Sequence, residues 1–100
     1  MAPPSRRHRP SLRGEIDLAN APEVGRELLG HALESLSRTV VLDCTELTFI
    51  DSSGIDMLVQ LGRLSERRIE LVNVPPEPLR TFEVCGLREM FGLGALDRVD

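Results

Sequence analysis

The chain contains no lysine, no tryptophan and no tyrosine, and only three phenylalanines and two cysteines in 100 residues. Without lysine it cannot build an aspartyl phospho-acceptor pocket of the kind that sets a lysine beside an acidic metal site, so neither Asp43 nor Asp51 is read that way. Cys44 and Cys85 are too few for a disulfide framework, and with His8 and His31 isolated from them and from each other there is no metal-ligand spacing. Both cysteines read as buried small hydrophobes, and no metal or cofactor is expected. The longest apolar runs are a handful of residues, as in Leu47 to Ile50, against the ~20 needed to cross a bilayer. No apolar block of ~7–15 residues follows the arginines near the start, which excludes a secretory signal there and makes the cytoplasm the expected location.

What remains is an ordinary globular composition, 41% hydrophobic and 28% charged, in a length that makes one domain able to bury about two-thirds of its unfolded surface. The charge is uneven. Residues 1–13 hold Arg6, Arg7, Arg9 and Arg13 and no acid, whereas residues 14–100 set eight arginines against sixteen carboxylates. An acidic body repels a nucleic-acid backbone, and the basic segment has no interleaved aromatics, so direct nucleic-acid binding is not expected. With Pro3, Pro4 and Pro10, residues 1–10 read as a solvated, disordered tail. Residues 11–93 read as the folded domain and 94–100 as a C-terminal tail.

Within the domain, Leu12, Gly14, Ile16 and Leu18 alternate with Arg13, Glu15 and Asp17, which predicts a half-buried strand over 11–18. Asn20 is placed to cap a helix, with Pro22 in the first turn and Glu23 completing a capping box. That helix runs to about Leu36 on a stripe of Val24, Leu28, Ala32, Leu33 and Leu36, weakened locally by Gly25 and Gly30. Thr39 to Asp43 is apolar on both faces and reads as a central strand. Leu47 to Ile50 is a further strand that stops at Asp51-Ser52-Ser53-Gly54. A second helix follows, with little polar face in its first half. Ile69 to Val74 alternates as a strand, broken by Pro75 and Pro76. A short third helix, with Pro78 in its first turn and Leu79, Phe82 and Val84 or Cys85 facing inward, ends at Gly86. Leu87, Met90, Phe91 and Leu93 fit either a last helical turn or an edge strand. The order predicts a small α/β sheet of about four strands with crossover helices.

The cluster Asp51-Ser52-Ser53-Gly54 sits at a strand-to-helix switch, where open α/β sheets place functional groups. Ser53 followed by Asp56 fits a capping pattern, which leaves Ser52 free and makes loss of the Ser53 hydroxyl worth ~1 kcal/mol. A phosphate on Ser52 would meet the amides and dipole of the helix start. On those four residues alone, a cap and a tight turn account for the composition completely. A serine hydrolase is excluded, since Ser52 lacks the Gly-x-Ser-x-Gly elbow and His31 has no orienting acid.

Five segments in order, Leu12-Arg13-Gly14-Glu15-Ile16-Asp17, Val40-Val41-Leu42-Asp43, Leu47-Thr48-Phe49-Ile50-Asp51-Ser52-Ser53-Gly54, Ile69-Glu70-Leu71-Val72-Asn73-Val74-Pro75-Pro76 and Cys85-Gly86-Leu87, resemble the STAS domain family over residues 12–92. The likeness is greatest to its small bacterial anti-sigma factor antagonists. The resemblance implies a non-catalytic switch: Ser52 is phosphorylated by a histidine-kinase-like ATPase that is also the anti-sigma factor, and a metal-dependent serine phosphatase restores the hydroxyl. ATP and magnesium belong to the kinase. It further implies that Asp17 lies near the serine and helps partner docking, and that Asp51, Ser52, Ser53, Gly54 and Asp56 form the rest of the partner-binding surface. Family members open with a longer strand pair than this chain, whose Arg- and Pro-rich start leaves that region shortened. A missing edge strand exposes backbone groups and invites homodimerisation or strand pairing. The turn Ser65-Glu66-Arg67-Arg68 also lacks the glycines common there. The alternative is a STAS-like adaptor of a transporter or signalling assembly, using the same surface without a phosphorylation cycle.

Overall fold

The computed structural model describes residues 9–93. The first eight residues of the expected basic tail, His8 included, and the expected tail 94–100 lie outside the described residues. Four strands and three helices follow in chain order: β1 (Gly14–Ile16), α1 (Ala21–Glu34), β2 (Thr39–Asp43), β3 (Leu47–Ile50), α2 (Ser52–Ser65), β4 (Arg68–Val72) and α3 (Pro76–Val84). β1 pairs with β3 and β2 with β4, both in parallel, and a single parallel bridge between Ser11 and Asp43 joins the two pairs. This is the small α/β sheet expected, with β2 held between β4 and the chain at Pro10 to Leu12. The Asp43 amide donates to the Pro10 carbonyl at 2.9 Å and the Leu12 amide to the Asp43 carbonyl at 3.0 Å.

The opening strand is shorter than its alternation predicts because Gly14 adopts φ +66, a left-handed turn that glycine accepts at little steric cost. The register slips between Gly14 and Glu15. As a result the chain leaves β2 and joins β3 within a few residues. Leu12 and Ile16 remain buried, but Leu18 lies beyond the strand and is 75% exposed.

α1 ends at Glu34, where Ser35 turns extended, so Leu36 falls outside the helix and Leu33 sits on its solvent side. Leu28 and Ala32 carry the buried face, with Val24 and Leu29 packed against the core. Gly25 has a use here: a Cβ on it would come within 2.8 Å of Met57 Cγ, so its bareness lets α1 and α2 approach. α2 is more amphipathic than its sequence suggests. Gly54, Met57, Leu58, Leu61 and Ser65 are buried, while Ser52, Asp56, Gln60 and Arg63 form an exposed polar stripe and Leu64 is largely exposed.

α3 buries Pro78 and Phe82 and ends as expected at Gly86, φ +72. The Leu87 amide donates to the Phe82 carbonyl and the Gly86 amide to the Glu83 carbonyl, the paired bonds of a Schellman cap. Val84 and Cys85 point outward, against the expectation that one of them faces the core and that both cysteines are buried; only Cys44 is. After Gly86 the chain forms turns. Phe91 packs edge-on against Phe82 with ring centroids 5.6 Å apart, and its carbonyl accepts from the Leu71 amide at 3.0 Å, covering the outer edge of β4. Among the described residues no helix is long and apolar enough to cross a membrane.

Candidate functional site

Because the strands are parallel, β1 and β3 release the chain at the same end of their pair. Ile16 is paired with Ile50, and the Asp51 amide donates to the Ile16 carbonyl at 3.3 Å. Asp17 and Asp51 are therefore the next residues on adjacent strands, whose spacing is ~4.8 Å. The two aspartates expected to flank the serine thus leave neighbouring strand ends, each carboxylate turned onto its own local amides, and Ser52 begins α2 directly behind Asp51.

The local roles differ from those expected. Asp51, extended at φ −112 and ψ −170, is the N-cap of α2. Its Oδ1 accepts the amide protons of Ser53 at 2.9 Å and Gly54 at 3.2 Å. Ser53 does not cap; it is the second helical residue and half-buried. Nor are the amides of Ser53 and Gly54 free for a phosphate on Ser52, since the carboxylate occupies them. Ser52 is exposed as the first residue of the helix. Asp56, one turn further on, is exposed on the same polar stripe.

Gly54 has a steric role. A Cβ there would lie 2.5 Å from Ile50 Cγ1 and 3.0 Å from Ile16 Cγ2. Only a hydrogen lets the helix start sit down on the last residues of β1 and β3, and that close seat is what sets Ser52 at the strand ends.

Asn20 also departs from its expected role. It makes no side-chain bond to the start of α1. Its Oδ1 accepts from the Asp17 amide at 2.9 Å and its Nδ2 donates to the Glu15 carbonyl at 2.8 Å, while Asp17 Oδ1 accepts from the Ala19 amide at 3.0 Å. The loop after β1 is thus folded back on itself.

Beside this site the sequence reading missed a groove of about 440 Å³ between α1 and α2. Leu18, Leu29, Met57 and Leu64 supply its apolar walls, with Ser53 and Asp56 at its margin. The signal that could have found it is Leu18, Leu29 and Leu64, apolar residues in excess of what the buried faces of their elements need. A separate polar cluster joins the ends of β2 and β4. Asp43 Oδ1 accepts from the Thr45 hydroxyl at 2.6 Å, the Thr45 amide at 3.0 Å and Asn73 Nδ2 at 3.2 Å. The Thr45 hydroxyl above all, then the Thr45 amide, Asn73 and the Arg9 charge, hold the Asp43 carboxyl below its usual range against partial desolvation. Among the described residues no group of three His, Cys, Asp or Glu side chains could hold a metal ion.

Comparison with known proteins agrees with this architecture. The fold is similar to that of the anti-sigma factor antagonist SpoIIAA in its unphosphorylated form, at 19% sequence identity over 90% of this chain and 76% of that one, with a TM-score of 0.52. No curated protein sequence matches the chain. The family model of the STAS domain matches residues 10–98, nearly the whole length, and the chain belongs to the STAS domain family.

Proposed function

We propose that the chain is an anti-sigma factor antagonist whose binding to an anti-sigma factor serine kinase, a histidine-kinase-like ATPase, is switched by phosphorylation of Ser52. The observation that carries this reading is the exposed Ser52 at the first position of α2, with Asp51 and Asp17 on the strand ends beside it. The role is non-catalytic: the partner brings ATP and magnesium, and a metal-dependent serine phosphatase restores the hydroxyl.

The electrostatics support a switch of the off type. A phosphate adds ~1.5–2 negative charges and three acceptor oxygens. At Ser52 it follows Asp51 directly, on the strand end next to the one that carries Asp17, and finds the Ser53 and Gly54 amides already bonded to Asp51. The added charge therefore projects toward a docked partner instead of being absorbed by the helix start. A useful switch needs an affinity change of ~100-fold, about 3 kcal/mol, and an unmatched charge at an interface supplies that much. Gly54 keeps the helix start seated on the strands, so the domain itself need not unfold to change its surface.

The test is intact-mass measurement after incubation with ATP and purified candidate histidine-kinase-like ATPases. A gain of ~80 Da, the mass of one phosphoryl group, that vanishes in Ser52→Ala supports the reading. A gain that persists in Ser52→Ala and vanishes in Ser53→Ala overturns the assignment of the site. No gain with any such ATPase leaves the adaptor reading, in which the same surface binds without a phosphorylation cycle.

A further inference from the structure

The carboxamide of Asn20 brackets Ile16. It accepts from the amide of the residue after it, Asp17, and donates to the carbonyl of the residue before it, Glu15. A residue on a neighbouring parallel strand makes the same pair of bonds to the strand it faces. The other edge of β1 at this level is already taken, since Ile16 is paired with Ile50. One side chain thus does the work of a strand along the edge of β1 that no described strand pairs. Asparagine suits the place because its amide carries a donor and an acceptor on separate atoms; aspartate has no donor, alanine has neither, and the single oxygen of serine cannot span both partners.

The consequence falls on Asp17. Its amide is held by the Asn20 side chain, its carbonyl accepts from the amides of Asn20 at 3.2 Å and Ala21 at 2.8 Å, and its carboxylate is turned onto the Ala19 amide. Asn20 supplies two of these restraints. We propose that Asn20 is a positioning residue that holds Asp17 in the orientation read by a protein partner, which rests on the antagonist reading for the identity of that partner. Asn20 itself need not touch the partner; it acts through the aspartate.

Two measurements on the full chain test this. Amide hydrogen exchange followed by NMR should quicken at Asp17 by about tenfold or more in Asn20→Ala, with Leu42 and Leu71 unchanged; the loss of a typical hydrogen bond allows that much. The second measurement is affinity for the ADP-loaded ATPase that phosphorylates the chain in the mass assay, in a double-mutant cycle. Asn20→Ala should weaken binding about tenfold in the wild-type background and less than about twofold when Asp17→Ala is already present. Equal losses in both backgrounds, or no loss in the first, overturn the proposal, as does an unchanged Asp17 exchange rate. Absence of any phosphorylating ATPase removes the antagonist reading and with it the partner named here, whereas an unchanged exchange rate removes the positioning role alone.

Discussion

The Asp51 carboxylate and the Ser53 amide nitrogen are 2.9 Å apart, and the direction of that bond, from serine backbone to aspartate side chain, decides which residue starts α2. Replacing the cap should therefore cost more than replacing either serine. In urea denaturation, Asp51→Ala is expected to lose about 1 kcal/mol, Asp51→Asn to retain most of the cap, and Ser53→Ala to stay within about 0.5 kcal/mol of wild type. A Ser53→Ala loss equal to that of Asp51→Ala would contradict the geometry.

Gly54 admits no Cβ without displacing Ile50 or Ile16. Gly54→Ala is expected to cost about 1–3 kcal/mol through overpacking. Gly30, exposed on α1 where a Cβ would meet nothing beyond its own stretch of helix, is the control, and Gly30→Ala should gain about 0.5–1 kcal/mol. Both are read from denaturation midpoints at unchanged m-value.

Glu66 follows α2 in the left-handed region at φ 58. Glycine occupies that conformation without the Cβ penalty, so Glu66→Gly should stabilise the domain by about 0.5–1 kcal/mol, after the entropy of the freer unfolded chain is deducted. Glu66→Ala, which keeps the Cβ, should not.

Asp43 titrates below its unfolded value of about 3.9 because Thr45 and Asn73 bond its ionised form. The unfolded chain then binds the proton more readily, and stability rises with pH through this window. The contribution is complete above the unfolded pKa and is lost as pH falls through the lower, folded one. Thermal unfolding from pH 7 down to pH 2 should show a shallower acid limb in Asp43→Asn than in wild type; identical limbs would dismiss the link.

On the switch itself, Ser52→Ala should bind the ATPase irrespective of ATP, and Ser52→Asp should bind it at least about tenfold more weakly. Calorimetric titration with the ADP-loaded ATPase measures both. Equal affinities would leave the added charge without a role.

The alternation and spacing made the element order, the central place of β2, the Gly86 cap and the strand-to-helix switch at Asp51 legible. Finer roles were decided by tertiary placement. Aspartate, serine and asparagine are comparable capping residues, so the string Asp51-Ser52-Ser53 does not say which of them caps. The answer comes from the Asp51 amide being bonded to Ile16, which makes Asp51 the last extended residue. Asn20 stands one residue before a helix and looks like a cap, yet the edge of β1 that no described strand pairs competes for its amide and wins. Leucines 18 and 36 keep the strand or helical period only if the elements run longer than they do, whereas Leu33 lies within α1 but on its solvent side. Gly14 shortens the start of the strand, the loop that folds back from Asp17 to Asn20 ends it at Ile16, and Ser35 ends α1 early; of these only the glycine is a local sign of an irregularity.

The parallel strand pairs have a consequence for biosynthesis. Every pairing among the described strands joins residues separated by about thirty positions, so none forms by local hairpin closure and each waits for its crossover to be made. As the chain leaves the ribosome, β1 has its partner once Ile50 has emerged, whereas β2 must wait for Val72 to complete its register with β4. The half of the sheet that seats Asp17 and Asp51 can thus assemble while the other half is still being translated.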